Sequence, residues 1–265
     1  MQQIFFPLFI MLMITVLPLQ AADLTARQIM QLVDDRDDGD NGVSDMVMTL
    51  IDKNGNKRAR KIRSYTKDKG DDKQRIMFFM MPADVKDTGF LTYDYDEYSK
   101  DDDQWLYLPA LGKSKRIASS DKSGSFMGSD FNYSDMTSKN LDAYDFRILN
   151  EKEVRGAKAW VIEAIPKTKE EIEETGYTKS VLFVRQDNYM VVRGVHWVNE
   201  GGRIKYMDSP KIEQIDGIWT ATKRTMTTKK NKKMVHKTEL NFYDVKFNQA
   251  LEQELFSLRR LEKGL

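Results

Sequence analysis

Two histidines, His196 and His236, and no cysteine occur in the 265 residues of this chain. That inventory narrows the available chemistry. Without thiols there is no disulfide, no thiolate nucleophile, no thiolate metal site and no lipid anchor on an N-terminal cysteine. Two imidazoles cannot build a three-histidine metal centre, and they leave few choices for a histidine general base. His196 falls mid-strand between Val195 and Trp197, and His236 lies in the basic stretch Lys232-Lys233-Met234-Val235-His236-Lys237. Both read as structural or solvated side chains. A serine hydrolase places its nucleophile in a Gly-x-Ser-x-Gly elbow, whereas Gly124-Ser125-Phe126-Met127-Gly128 has the wrong order. Asp37 to Gly42 has the composition of a calcium loop, but Gly39 stands at the third ligand position and Met48 where the closing glutamate belongs. The glycines form no phosphate-cradling loop. Acidic clusters at Asp94-Tyr95-Asp96-Glu97 and Asp101-Asp102-Asp103 read as solvated turns able to hold a cation loosely, and no carboxylate pair is singled out. The expectation is a protein that is not an enzyme, with no catalytic residue, no metal and no cofactor.

Charge balance points the same way. The 42 basic and 41 acidic residues leave a net +1, which gives no general argument for nucleic acid. Basic runs occur at Lys57-Arg58-Ala59-Arg60-Lys61-Ile62-Arg63, at Lys113 to Arg116 and at Lys229 to Lys233. They have acidic neighbours, so they read as a mixed-charge surface, or else as a rim meeting anionic head groups or an acidic partner. Asn132-Tyr133-Ser134 matches a glycosylation sequon, a pattern frequent by chance.

Residues 1–21 carry no Asp, Glu, Lys or Arg, and Ile4 to Leu19 is one apolar run. A spanning helix wants about 18 or more apolar residues, and a shorter run suits a secretory leader. Pro18 and the small Ala21 and Ala22 fit a cleavage site after Ala21 or Ala22, with an uncleaved anchor as the alternative. The expected organisation is a signal peptide over 1–21 and a single domain over 22–265.

Within that domain, Thr25 with Gln28 three residues on forms a capping box for a helix over 23–35. Strand signals then dominate: 43–51, 57–66, 74–81, 89–96, 103–108, 114–118, 142–150, 157–165, 178–186, 189–199, 203–208, 211–216, 218–228 and 234–246. Asn54-Gly55, Asp187-Asn188, Gly201-Gly202, Asp216-Gly217 and Lys230-Asn231 supply turns between many of them. No helical run suits repeated βαβ units, so the fold is mostly β and antiparallel, a barrel or a curled sheet. Lys167 to Gly176 reads as a helical excursion, and Ser119 to Asn140 as a polar loop that nonetheless holds Phe126, Met127, Phe131, Tyr133 and Met136. Several strands are apolar on both faces: Ile76, Phe78 and Met80 alternate with Met77, Phe79 and Met81, and Trp105 and Tyr107 with Leu106 and Leu108. Val195 and Trp197 likewise alternate with Val192 and Val198. Two apolar faces fit either a thick core under helices or a cavity for an apolar ligand.

The segment Gln104-Trp105-Leu106-Tyr107-Leu108-Pro109-Ala110-Leu111-Gly112-Lys113, followed by Gly124-Ser125-Phe126-Met127-Gly128-Ser129-Asp130-Phe131, resembles the outer-membrane lipoprotein-sorting (LolA-like) family, in the longer branch associated with RND-type exporters. The Thr25-led helix, Pro82 with Thr88-Gly89-Phe90-Leu91, and the Phe256-Ser257-Leu258-Arg259 ending extend the resemblance over nearly the whole domain. It implies a half-open antiparallel β-barrel of about eleven strands around an apolar hollow, with helical lid segments as in LolA and LolB. It also implies a periplasmic carrier without catalysis, whose partners are the acyl chains of lipids or lipoproteins and an inner-membrane RND-type exporter or lipoprotein-releasing transporter. Under that reading Trp105 and Tyr107 frame the hollow, Phe126, Met127 and Phe131 form a movable lid, and Phe78, Met80 and Trp197 are further lipid contacts. A sixteen-carbon chain represents roughly 12 kcal/mol of transfer energy, so it needs such a hollow to cross water. A cargo-free periplasmic adaptor of an exporter is the alternative.

Overall fold

A computed structural model describes residues 23–97 and 100–265; the expected leader over 1–21 lies outside them. The first element is helix α1 (Ala26–Asp34). Its Thr25 cap works in both directions: the Thr25 hydroxyl accepts from the Gln28 amide at 3.3 Å, and the Thr25 amide donates to Gln28 Oε1 at 2.9 Å. Strands β1 (Asn41–Asp52), β2 (Lys57–Lys69), β3 (Asp72–Met81), β4 (Gly89–Asp94), β5 (Asp103–Leu108) and β6 (Lys113–Arg116) follow as a meander. After a long connection come β7 (Tyr144–Val154), β8 (Ala157–Pro166), helix α2 (Lys169–Thr175), β9 (Tyr177–Arg185), β10 (Val191–Val198), β11 (Arg203–Ile215), β12 (Ile218–Lys230) and β13 (Lys233–Phe247). A short C-terminal helix, α3 (Leu258–Lys263), ends the chain.

The thirteen strands, against the eleven or so that the resemblance implies, form one antiparallel sheet. The expected runs 203–208 and 211–216 are a single strand, because a bulge between Asp208 and Lys211 absorbs Ser209 and Pro210 without ending the pairing. Asp216-Gly217 turns with both residues at positive φ, as two-residue hairpins require. The β12–β13 turn does the same one residue later than expected, at Asn231-Lys232.

Strand order explains the architecture. It runs β6-β5-β4-β3-β2-β1-β13-β12-β11-β10-β9-β8-β7, so the first and last strands pair and the sheet is left open between β6 and β7. Those two are consecutive in sequence yet lie on opposite edges. The connection between them, 117–143, must therefore cross the open barrel.

Doubly apolar strands are covered on both sides. On the inner face Met46, Met48, Ile62, Met77, Phe79 and Phe90 pack with Phe126 and Phe131 of the crossing segment. Farther round, α1 packs Ile29 and Met30 against Leu141, Ile162 and Val184. On the outer face Ile76, Phe78 and Leu91 meet Phe256 and Leu261 of the C-terminal segment. Gly89 makes that approach possible, since a Cβ there would stand 2.6 Å from Leu261 Cδ1.

Candidate functional site

The crossing segment explains its own motif. Met127 and Gly128 take φ of 50° and 72°, folding Gly124 to Asp130 into a knot closed by the Phe126 amide on the Phe131 carbonyl at 2.7 Å. Phe126 is driven into the barrel, with ring centroids 5.0 Å from Phe90, 5.6 Å from Tyr133 and 6.3 Å from Phe79. The Arg60 guanidinium on β2 donates to the Met127 carbonyl. Asp130 fastens the other side: its carboxylate, side chain 2% exposed, accepts from Thr238 Oγ1 at 2.7 Å and from Thr228 Oγ1, and meets His236 Nδ1 at 2.7 Å. Farther along, Arg75 of β3 donates to the Met136 carbonyl at 2.9 Å. The segment is thus tied to both halves of the barrel.

Beneath it lies a hollow in two lobes of about 310 Å³ each, both bordered by Phe131, Asp135 and Arg224. That places each at the small end of ligand pockets, which span about 300 to 1,000 Å³. One lobe is walled by Met46, Met77, Met136, Ile218, Leu240, Phe242 and Phe247. The other is walled by Met30, Val33, Leu141, Leu182, Val191, Met207 and Met226. Methionine and leucine stems supply an adaptable apolar lining.

Set into this lining are cations. Arg36, Arg75 and Arg224 all border the first lobe, and the guanidinium of each is held below its ordinary pKa by burial. For Arg224 the neighbouring charges of Arg75 and Arg36 press in the same direction, and Asp135 opposes them. A guanidinium keeps its charge at any physiological pH, so these positions are costly. His196 lies against the second lobe, with Nδ1 2.8 Å from Ser180 Oγ; burial pushes it down to about 4, so it is neutral. An acidic basin containing Asp34, Asp38, Asp40, Asp68, Asp94 and Asp96 adjoins the hollow, with Asp34, Asp68 and Asp94 raised chiefly by burial. In a neighbouring pocket Asp102 is pushed up to about 6, first by burial and then by Asp94. Among the described residues no group of three or more His, Asp or Glu could hold a metal. No helix there is long and apolar enough to cross a membrane.

The eight candidate lipid contacts separate between the faces. Phe126 and Phe131 lie in the inner core, with Met127 partly buried against it. Trp105, Tyr107 and Phe78 lie on the outer face with the C-terminal cover, and Trp105 packs against Tyr93 at 5.1 Å. They therefore do not frame the hollow; their strands present Leu106 and Met77 to it instead. Met80, on the same alternation as Phe78, is 38% exposed near the end of β3. Trp197 also faces outward, under the Lys179 ammonium at 4.3 Å. Arg75, Arg224 and Asp130 were not anticipated. The available signal was alternation: Arg75 is in step with Met77 and Phe79, and Arg224 with Met226, so each charge falls on an apolar inner row.

The three basic runs, distant in sequence, converge. Lys57 pairs with Ile51, Lys237 pairs with the same Ile51, and Lys230 pairs with Arg203, which puts the β1–β2, β12–β13 and β10–β11 tips at one end of the sheet. The β5–β6 tip with Lys113 joins them through Leu108 and Gly89. The acidic basin occupies the opposite end.

A family model described as an uncharacterized protein matches residues 71–263. No curated protein matches the chain. A DUF1329 family protein from Desulfovibrio piger superposes with a TM-score of 0.80 at 28% identity, over 89% of this chain and 97% of that one. A Vibrio parahaemolyticus domain named for outer membrane lipoprotein sorting gives 0.79 at 32% identity, over 89% and 98%. A LolA superfamily protein from Nitrosomonas europaea, 17% identical, shares the fold with a TM-score of 0.65 over 89% and 98%.

Proposed function

This chain belongs to the outer-membrane lipoprotein-sorting (LolA-like) family, and on that premise we propose that it is a periplasmic carrier of acyl chains. It takes the chains of lipoproteins or other lipids into the hollow and passes them between envelope membranes. Its membrane partner is an inner-membrane exporter of the RND type or a lipoprotein-releasing transporter. The observation that carries this reading is the methionine- and leucine-lined hollow under a segment crossing the open barrel. Such a lining replaces water with an environment comparable to a bilayer, at about 0.8 kcal/mol per methylene. Transfer then becomes nearly neutral, and no nucleophile, metal or nucleotide is required in the carrier. Phe126, Met127 and Phe131 form the lid, which yields to admit the chain while the sheet stays fixed.

The test is to express the protein with its own leader in a Gram-negative periplasm, purify it without detergent, extract with organic solvent and identify lipids by mass spectrometry. The expected result is a stoichiometric acyl species, lost in a folded Met46→Glu variant. A folded but empty protein that takes up no acyl probe would contradict the carrier and favour a cargo-free adaptor.

A further inference from the structure

Arg224 poses a problem that the apolar lining does not answer. Its Nε is buried without a hydrogen-bond partner, and among the described residues no carboxylate comes within ion-pair distance of its guanidinium. Its main favourable neighbour, Asp135, already accepts from the Asn132 amide at 2.8 Å and from the Tyr177 hydroxyl at 2.9 Å. Two more guanidiniums face the same lobe. Arg36 is held by the Trp219 carbonyl at 2.9 Å and Arg75 by the Met136 carbonyl, so each retains donors not used in these bonds. Of the acids bordering the lobe, Asp38 pairs with Lys73 at 2.6 Å and Asp94 accepts from the Ser138 amide at 2.8 Å; both also attract Arg75, and Asp38 attracts Arg36, whereas the attraction at Arg224 comes from Asp135. Asp68 lies toward the acidic basin.

Arg75 and Arg36 press on Arg224, whose buried Nε has no partner, and a charge so placed is an expensive way to line a pocket meant for hydrocarbon alone. We propose that Arg224, with Arg75 and Arg36, forms an anion subsite inside the hollow, and that the cargo is an amphiphile whose carboxylate or phosphate docks there while its acyl chain lies along Met46, Met77 and Leu240. The proposal rests on the carrier reading and deepens it. A planar guanidinium offers two parallel donors to a carboxylate or phosphate, and the low-polarity surroundings strengthen that contact. Position agrees with this role. Arg224 pairs with Leu240, which pairs with Met48, so the charge sits midway along the inner wall with apolar surface beside it.

Trp219 borders the lobe and serves as a fluorescence reporter. The delipidated protein is titrated with two matched pairs: palmitate against hexadecanol, and a palmitoyl lysophosphatidylglycerol against monopalmitoylglycerol. The anionic member of at least one pair is expected to bind about tenfold tighter, as one charge-assisted contact implies. Preference within the first pair identifies a carboxylate, and within the second a phosphate. Arg224→Gln is expected to abolish the preference, so that charged and neutral members of each pair bind alike, and Arg224→Lys to retain part of it. Arg224→Met is expected to raise the melting temperature, since it removes a half-buried guanidinium whose Nε has no partner, and to lose the preference as well. Equal binding of charged and neutral members by the unaltered protein would overturn the subsite and leave the carrier standing. A preference that survives in Arg224→Gln would overturn it too. Failure of every probe to bind would remove both readings.

Discussion

Asp130 shows how much one carboxylate can organise. It sits on the crossing segment, but its partners Thr228, Thr238 and His236 belong to β12 and β13. Replacing it by Ala strands buried hydroxyls and lets go of the knot at Phe126. The expected cost is about 2 kcal/mol or more, with faster hydrogen exchange at the Phe126 and Ser129 amides and none of that change in β8 or β9; uniform exchange across the sheet would contradict it. His196 makes a separate prediction about pH. Its pKa is lowered to about 4 by burial, with Lys139 and Lys205 pressing the same way and Asp135 against. The unfolded chain takes up this proton below about 6.5 and the native protein only below about 4, so its contribution is intact above 6.5 and is lost as pH falls. Between pH 7 and pH 5 the native state should lose about 2 kcal/mol through this group. Urea unfolding at the two pH values should show His196→Gln with a smaller difference than the unaltered protein; equal differences would refute the assignment.

The C-terminal segment and the crossing segment cover opposite faces of the same strands, and mutations should separate them. Leu261 is fully buried against the outer face, so Leu261→Ala should cost roughly 2 to 5 kcal/mol while leaving acyl-probe affinity unchanged. Phe126→Ser with Met127→Ser should instead alter probe retention; a Leu261→Ala protein that stays folded yet loses binding would contradict this division. Strands were legible in the sequence because turn residues such as Asp216-Gly217 fix their ends. The face that each residue serves was not. In β3 and β5 both alternations are apolar, so a period of two cannot say whether Phe78 or Phe79, Trp105 or Leu106, meets the hollow. That choice is made by α3, far away in sequence, through its approach at Gly89.

At the scale of the whole molecule, topology does what local sequence could not reveal. Pairing of β1 with β13 leaves β6 and β7 as edges, so the chain itself must bridge the open barrel. The same pairing gathers three basic runs at one end and the acidic basin at the other, so a net charge of +1 hides a molecule polarised along its strands. Arg224 was hidden for a related reason: in a chain with 42 basic residues, a single strand arginine draws no notice until its inner row is known. In the proposed carrier the inner face, and not the outer, receives the acyl chain. A photoreactive diazirine fatty acid, bound to the folded protein and mapped by peptide mass spectrometry, distinguishes the two faces. Adducts are expected at Met46, Met77, Met136 and Phe242; adducts confined to Phe78, Trp105, Tyr107 and the C-terminal segment would place the acyl chain on the outer face instead.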